Sequence, residues 1–217
     1  MKKITAIVPV RKGSQRVRNK NIRPFCGTNL LSIKLDTLKQ VAGVDEIVVS
    51  TDCDIMLDLA RAKGVTAVTR EPYYASSECT NSEFFQHVAE NLNTDYILYS
   101  PVTSPLISVE TYNEVIKTFR EKGKENIVTA SLVKHHMWLN GKPLNYDIRN
   151  SPNSQDLPDI VSLNYACNII AKDAMVKYRN IVTENPHFYI LDEIESMDID
   201  TEFDFMVAEM IYNKLKK

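Results

Sequence analysis

Short β-branched apolar runs alternate with helical patterns along the first two thirds of the chain, and this rhythm limits the possible folds more than any other feature. The runs fall at residues 4–10, 46–50, 66–69, 96–99 and 126–132, and the helical patterns at 31–41, 54–63, 82–91 and 109–121. Asp54 and Ser108 stand where helix N-caps belong, and Gly64 and Gly123 where helices stop. Such alternation predicts an α/β fold, a mostly parallel sheet with helices on both faces. Ligands of such sheets bind at the carboxyl ends of the strands. That rule sets the loop beginning at Arg11, the tripeptide Ser50-Thr51-Asp52 and residues 100–106 along one edge.

The rhythm breaks over residues 133–158, where His135-His136-Met137-Trp138 precedes a stretch rich in Gly, Asn, Pro, Ser and Asp. An excursion from the main sheet is expected there, with Trp138, Met137 and Tyr146 as its buried anchors or as a subunit contact. A strand resumes at 168–171 and a helix closes the chain over 202–216, with Lys214, Lys216 and Lys217 at the negative end of its dipole. The 217 residues suit one domain with a small insertion over about residues 133–160. A hydrophobic fraction of 44% supports a core, and a net charge of −2 does not suit a nucleic-acid binder. Four cysteines without metal-type spacing are expected as reduced thiols in a cytoplasmic protein. Neither a signal peptide nor a membrane span is expected.

The first loop concentrates chemistry. After the first strand, Arg11, Lys12, Arg16, Arg18 and Lys20 surround Gly13 and Ser14. Backbone N–H groups and side-chain cations in such a loop can converge on phosphate oxygens. A solvated basic loop is the alternative; its place directly after the first strand favours the phosphate reading.

A second constellation lies near the end, Met197-Asp198-Ile199-Asp200-Thr201. In extended backbone Asp198 and Asp200 share one face while Met197 and Ile199 anchor the other. Adjacent carboxylates repel unless a cation joins them. Mg²⁺ is the natural partner, binding substrate phosphates at the same time. The alternative is acidic capping of the last helix by Asp200 or Thr201.

Four motifs, Arg11-x-Gly13-Ser14 with Lys20-Asn21, Val49-Ser50-Thr51-Asp52, Thr103-Ser104-Pro105-Leu106 and Ser196-Met197-Asp198-Ile199-Asp200-Thr201, occur in the order and approximate spacing of the acylneuraminate cytidylyltransferases. The chain resembles that family over nearly its whole length. The resemblance implies a Rossmann-like nucleotidyltransferase fold, a small inserted dimerisation lobe and a homodimer. It implies Mg²⁺, CTP and a small acidic sugar, converted to its CMP-sugar with release of pyrophosphate. Arg11, Gly13, Ser14, Lys20 and Asn21 fall on nucleotide-binding positions, Thr80 and Asn81 in a region that approaches the nucleotide, and Asp198 and Asp200 on the metal-binding aspartates. Ser104, His135, His136 and Asn164 are implied at the acceptor.

The chain departs from the family in several places, among them Ser77, where an acidic residue is common. Gln15 stands where a lysine is usual. Residues 100–107 lack the family's glutamine and arginine. Leu139 and Ser154 occupy positions where a lysine and an arginine hold the sugar acid. Legionaminic, pseudaminic and sialic acids are therefore equally acceptable acceptors. In the expected reaction a sugar hydroxyl attacks the α-phosphate in line, with Arg11, Lys20 and Asp200 as the catalytic groups; positioning and charge neutralisation suffice. Asp52 can touch the nucleotide or cap the helix at Asp54, with the cap favoured, and Tyr73 and Tyr74 are read as packing. A nucleotidyltransferase acting on a sugar 1-phosphate, or a non-catalytic binder of phosphorylated ligands, fits the same first loop.

Overall fold

The first strand, β1 (Ile4–Pro9), is buried from Ile4 through Val8, as a strand covered on both sides must be. Ile4, Ala6 and Val8 enter one core and Ile7 the other. The same alternation in β2 (Glu46–Thr51) and β4 (Tyr96–Tyr99) sends Val49 and Leu98 to the first core, Val48 and Ile97 to the second. Helices α1 (Leu30–Leu38), α2 (Asp54–Ala62), α5 (Val109–Lys122) and α7 (Glu202–Leu215) contribute to the first core. Helices α4 (Asn81–Asn91) and α6 (Lys172–Tyr178) contribute to the second. The structure is a computed structural model and describes residues 2–14, 16–123 and 125–216. Gln15, at the family's lysine position, and Lys217, expected to complement the last helix dipole, lie outside the described residues.

With β3 (Thr66–Thr69), β5 (Asn126–Val133), β8 (Ile160–Ala171) and β9 (His187–Ile190), the seven-stranded sheet has the order β3-β2-β1-β4-β8-β5-β9. All neighbours are parallel except β8, which runs antiparallel to β4 and β5. The chain steps outward from β1 to β2 and β3, then returns to β4 on the other side. The order therefore reverses between β1 and β4, where doubly wound sheets open a crevice at their carboxyl ends.

Several boundaries differ from the periodicity. Helix α1 is capped by Asn29, whose side chain accepts the Ser32 N–H, and ends at Leu38, before the buried Val41. Asp54 is the first residue of α2 rather than its cap; Cys53 holds the cap position without a side-chain bond. Asp52 does not cap α2 either. Its Oδ1 accepts the Lys12 N–H at 2.8 Å, tying the first loop to the end of β2. Ser108 does cap α5, and Gly123 closes it in the left-handed region. The short α3 (Pro72–Ala75), α6 and β9 have no counterpart in the sequence reading. β8 begins at Ile160, eight residues before the expected start, because Ser162 and Asn164 interrupt its apolar pattern.

β8 also carries a pronounced bulge. Pairing steps from Leu163↔Ala130 to Asn168↔Val128, so the four residues Asn164, Tyr165, Ala166 and Cys167 face Thr129 alone. Side chains satisfy the interrupted ladder. Asn164 Oδ1 accepts the Ala166 N–H, Thr129 Oγ1 the Cys167 N–H, and Asn168 Oδ1 the Thr129 N–H.

Between β5 and β8 lie a two-stranded hairpin, β6 (Trp138–Leu139) with β7 (Lys142–Pro143), and a 3₁₀ turn at Ser154–Asp156. Trp138, expected as a buried anchor or a subunit contact, is 54% exposed and touches Tyr146 edge-on, so within one protomer it is no core residue. Among the described residues no helix is long and apolar enough to cross a membrane.

Candidate active site

The first loop and the late acidic segment meet. Lys20 Nζ donates to the Ile199 carbonyl at 2.5 Å and lies 4.0 Å from the Asp200 carboxylate, which Arg16 engages at 2.7 Å. The contact extends into α7. Arg23 pairs with Glu202 at 2.7 Å and lies over Phe205, Phe25 meets Phe205 edge-on at 5.2 Å, and the Cys26 N–H donates to Glu209. Thr201 and Asp204 form a capping box, so α7 begins directly after Asp200. The capping alternative thus holds for Thr201, and Asp200 is left to face the loop.

Two adjoining cavities open here. The first, about 350 Å³, lies at the switch point between the ends of β1 and β4; Arg11, Ser14, Arg16, Lys20, Asn21 and Thr103 are among its lining. The second, about 280 Å³, shares Pro101 and Thr103 with the first and adds Asn81, Tyr99, Asn164, Tyr165, Asn180 and Asp198. One lobe is cationic; the other is lined by carboxamides, aromatic rings and one carboxylate.

Burial lowers the Lys20 pKa, although Asp198 and Asp200 pull it upward. Asp198 is raised, first by desolvation within the crevice and further by the charge of Asp200, while a hydrogen bond from Thr103 opposes the shift. Arg70, buried beneath the rim, donates to the Ser50 carbonyl at 2.6 Å and stacks on Phe84; burial lowers its pKa to about 10. Tyr99 is pushed up to about 12, again mainly by burial.

The crevice gathers Arg11, Ser14, Lys20, Asn21, Asn81, Asn164 and Asp198 along its walls, with Asp200 held beside Lys20. Some of these side chains are already engaged. Arg11 Nη1 donates to the Ala75 and Ser76 carbonyls, and the buried Asn21 amide donates to the Arg11 carbonyl, fixing the loop from behind. Gly13 has φ +83°, and a Cβ there would meet nothing within 4 Å, so backbone conformation rather than crowding calls for glycine.

Other expected residues are not brought into the two cavities. Ser104, expected at the acceptor, is fully buried and its Oγ has no partner. Its carbonyl accepts instead from the buried Lys34, which also donates to Tyr112. The Thr80 hydroxyl is spent on the capping box of α4 with Glu83 and does not line either cavity. His135 and His136 are exposed in the insertion, where His136 contacts the Pro152 carbonyl and the Tyr146 ring; neither lines these cavities. Tyr73 bonds Glu83 and Tyr74 stacks on His87, as packing predicts. Arg70, Tyr165 and Asn180 were not singled out in the sequence. Arg70 directly follows β3, so the carboxyl-end rule reaches it; Tyr165 and Asn180 carry no local signal.

The donor set suits a hard cation. Asp198 and Asp200 present carboxylate oxygens close enough for one charge to raise the other's pKa. No group of three or more His, Cys, Asp and Glu side chains gathers as a metal site among the described residues. A cation held here would complete its shell with water and phosphate oxygens.

A mostly parallel sheet with a cationic first loop at its switch point defines a nucleotide-handling α/β protein of the Rossmann-like nucleotidyltransferase class. The fold matches the structure of CMP:2-keto-3-deoxy-manno-octonic acid synthetase complexed with CTP, with a TM-score of 0.74 and 14% identity over 98% of this chain and 99% of that one. The protein belongs to the cytidylyltransferase family, whose model, described as Cytidylyltransferase, matches residues 5–146. It is 24% identical to the CMP-N,N'-diacetyllegionaminic acid synthase of Legionella pneumophila, with 96% of each chain covered. It is also 25% identical over 211 residues to the N-acylneuraminate cytidylyltransferase of Streptococcus agalactiae, covering 92% of this chain but only about half (51%) of that longer protein.

Proposed function

We propose that this protein activates a nonulosonic acid with CTP, releasing pyrophosphate and a CMP-sugar. The observation that carries the reading is the meeting of Lys20 and Arg16 with Asp200 across the switch-point crevice. The relatives named for CMP-sugar synthesis support the choice of nucleotide and acceptor.

Arg11, Arg16 and Lys20 supply positive charge where a triphosphate would lie, and Ser14 adds a hydroxyl beside it. Asn21 acts indirectly, holding the Arg11 carbonyl and therefore the loop's path. Asn81 and Asn164 face the second lobe, beside Asp198, where the acceptor would bind. Asp198 and Asp200 would hold Mg²⁺; when bound, the ion neutralises phosphate charge and orients the phosphates. Arg16, which engages the Asp200 carboxylate, stands within the cationic lobe where the phosphates would lie. The transfer needs no covalent enzyme intermediate. The protein works as a cytoplasmic homodimer, with residues 134–159 contributing to the subunit contact; Trp138, Leu139, Leu144 and Ile148 all stand more than half or about half exposed in that segment.

The test is pyrophosphate release from CTP, UTP, GTP and ATP with Mg²⁺, against sialic, legionaminic and pseudaminic acids and a sugar 1-phosphate. Release confined to CTP with a nine-carbon acid supports the reading. Release only with the sugar phosphate, or with none, overturns it.

A further inference from the structure

We propose that Tyr165 is a specificity-determining residue for the acceptor, its ring forming an aromatic wall of the second lobe of the crevice. This inference rests on the reading given above and deepens it.

The first observation is backbone geometry. Tyr165 has φ +55°, in the left-handed region that bulky side chains rarely adopt and glycine enters freely. Strain of this kind persists where the surroundings over-determine the conformation, and it gathers at functional sites. Here they do. The bulge is sewn by Asn164, Thr129 and Asn168, so the backbone path at 165 depends little on which side chain stands there.

The second observation is where the bulge aims the ring. Tyr165 is 40% exposed, so core burial does not compensate the strained backbone. Instead it lines the cavity of about 280 Å³ together with Phe85, Tyr99, Asn164, Asn180 and Asp198. Bulges beside active sites commonly re-aim a side chain. A wall of rings interleaved with carboxamides suits a polyhydroxylated, N-acylated sugar ring. The aromatic faces meet its C–H surface, and the amides and phenol meet its hydroxyl and acyl groups.

The chemistry calls for a residue at 165 that costs conformational ease yet contacts the acceptor and not the nucleotide. Three variants test this, Tyr165→Gly, Tyr165→Asn and Tyr165→Phe, with thermal melting and steady-state pyrophosphate release from CTP and sialic, legionaminic and pseudaminic acids. Glycine and asparagine tolerate the left-handed backbone, so both variants are expected to melt at or above the wild-type temperature. Their KM for the preferred acid should rise about tenfold, the KM for CTP should stay unchanged, and discrimination among the acids should narrow. Tyr165→Phe should keep most of the discrimination. Unchanged acceptor KM and unchanged discrimination in the glycine and asparagine variants overturn the inference, whether or not their melting temperature changes; so does an equal rise in both KM values. Pyrophosphate release by wild type with none of the acids sinks the proposed function, and this inference with it.

Discussion

The Arg16 guanidinium stands 2.7 Å from the Asp200 carboxylate, joining residues 184 positions apart in the chain. Both side chains are largely solvent-exposed, so the pair contributes little to folding, on the order of 0–1 kcal/mol. Under the proposed function its weight falls on the phosphate and metal site. Asp200→Ala is expected to keep the fold and lose about 10²–10³ in turnover, the usual cost of removing a group that acts on transition-state charge. Chelation of Mg²⁺ should abolish the wild-type rate. Circular dichroism and a Mg²⁺ titration of pyrophosphate release check both, and a folded Asp200→Ala enzyme with normal turnover would remove the metal role.

Lys34 makes a second prediction, on pH. It is fully buried, and desolvation first among the causes lowers its pKa from 10.5 to about 7. The unfolded chain therefore binds a proton that the folded chain releases above pH 7. Stability must rise with pH between 7 and about 8, below the range where an unfolded Cys167 thiol ionises appreciably while burial keeps the folded one protonated. The slope approaches one proton, about 1.4 kcal/mol per pH unit. Urea melts of wild type and Lys34→Met at pH 7, 7.5 and 8 should show the slope in the first and its loss in the second. Equal slopes would place the proton elsewhere.

Thr80 separates capping from nucleotide contact. Its side chain accepts the Glu83 N–H and the Glu83 carboxylate reaches back to the Thr80 N–H. Thr80→Ala should cost about 1 kcal/mol of stability and leave the KM for CTP within about twofold. A large KM increase without loss of stability would return Thr80 to the nucleotide site.

The insertion offers a test of assembly. Trp138 and Leu139 are 54% and 58% exposed on the β6 hairpin strand. If they lie in a subunit contact, replacing both by serine should shift the mass measured by light scattering at micromolar concentration from dimer to monomer. Wild-type protein running as a monomer would remove this part of the proposal.

Sequence order made the doubly wound half legible because its strands are short, apolar and flanked by polar helix signals. Ile4 to Val8 and the glycine stop after α5 could be read in that way. The meeting of Lys20 with the Asp198–Asp200 segment followed from residue chemistry and family resemblance. What stayed hidden was tertiary. Ser104 looks like a crevice residue until the buried Lys34, which also donates to Tyr112, engages its carbonyl, and the bulge at Tyr165 has no glycine to announce it. The apolar pattern of β8 is interrupted at Asn164, which lines the crevice rather than the core.

The clasp between residues 16–26 and 199–209 also has a consequence for biosynthesis. Cations arrive with the first loop, but their acidic counterpart emerges from the ribosome only after some 180 further residues. Until then the first loop of a nascent chain lacks the late segment that engages Lys20, Arg23 and Cys26. Truncation before Asp200 also removes α7, which holds Arg23, Phe25 and Cys26, so the clasp closes only once translation has delivered both ends of the polypeptide.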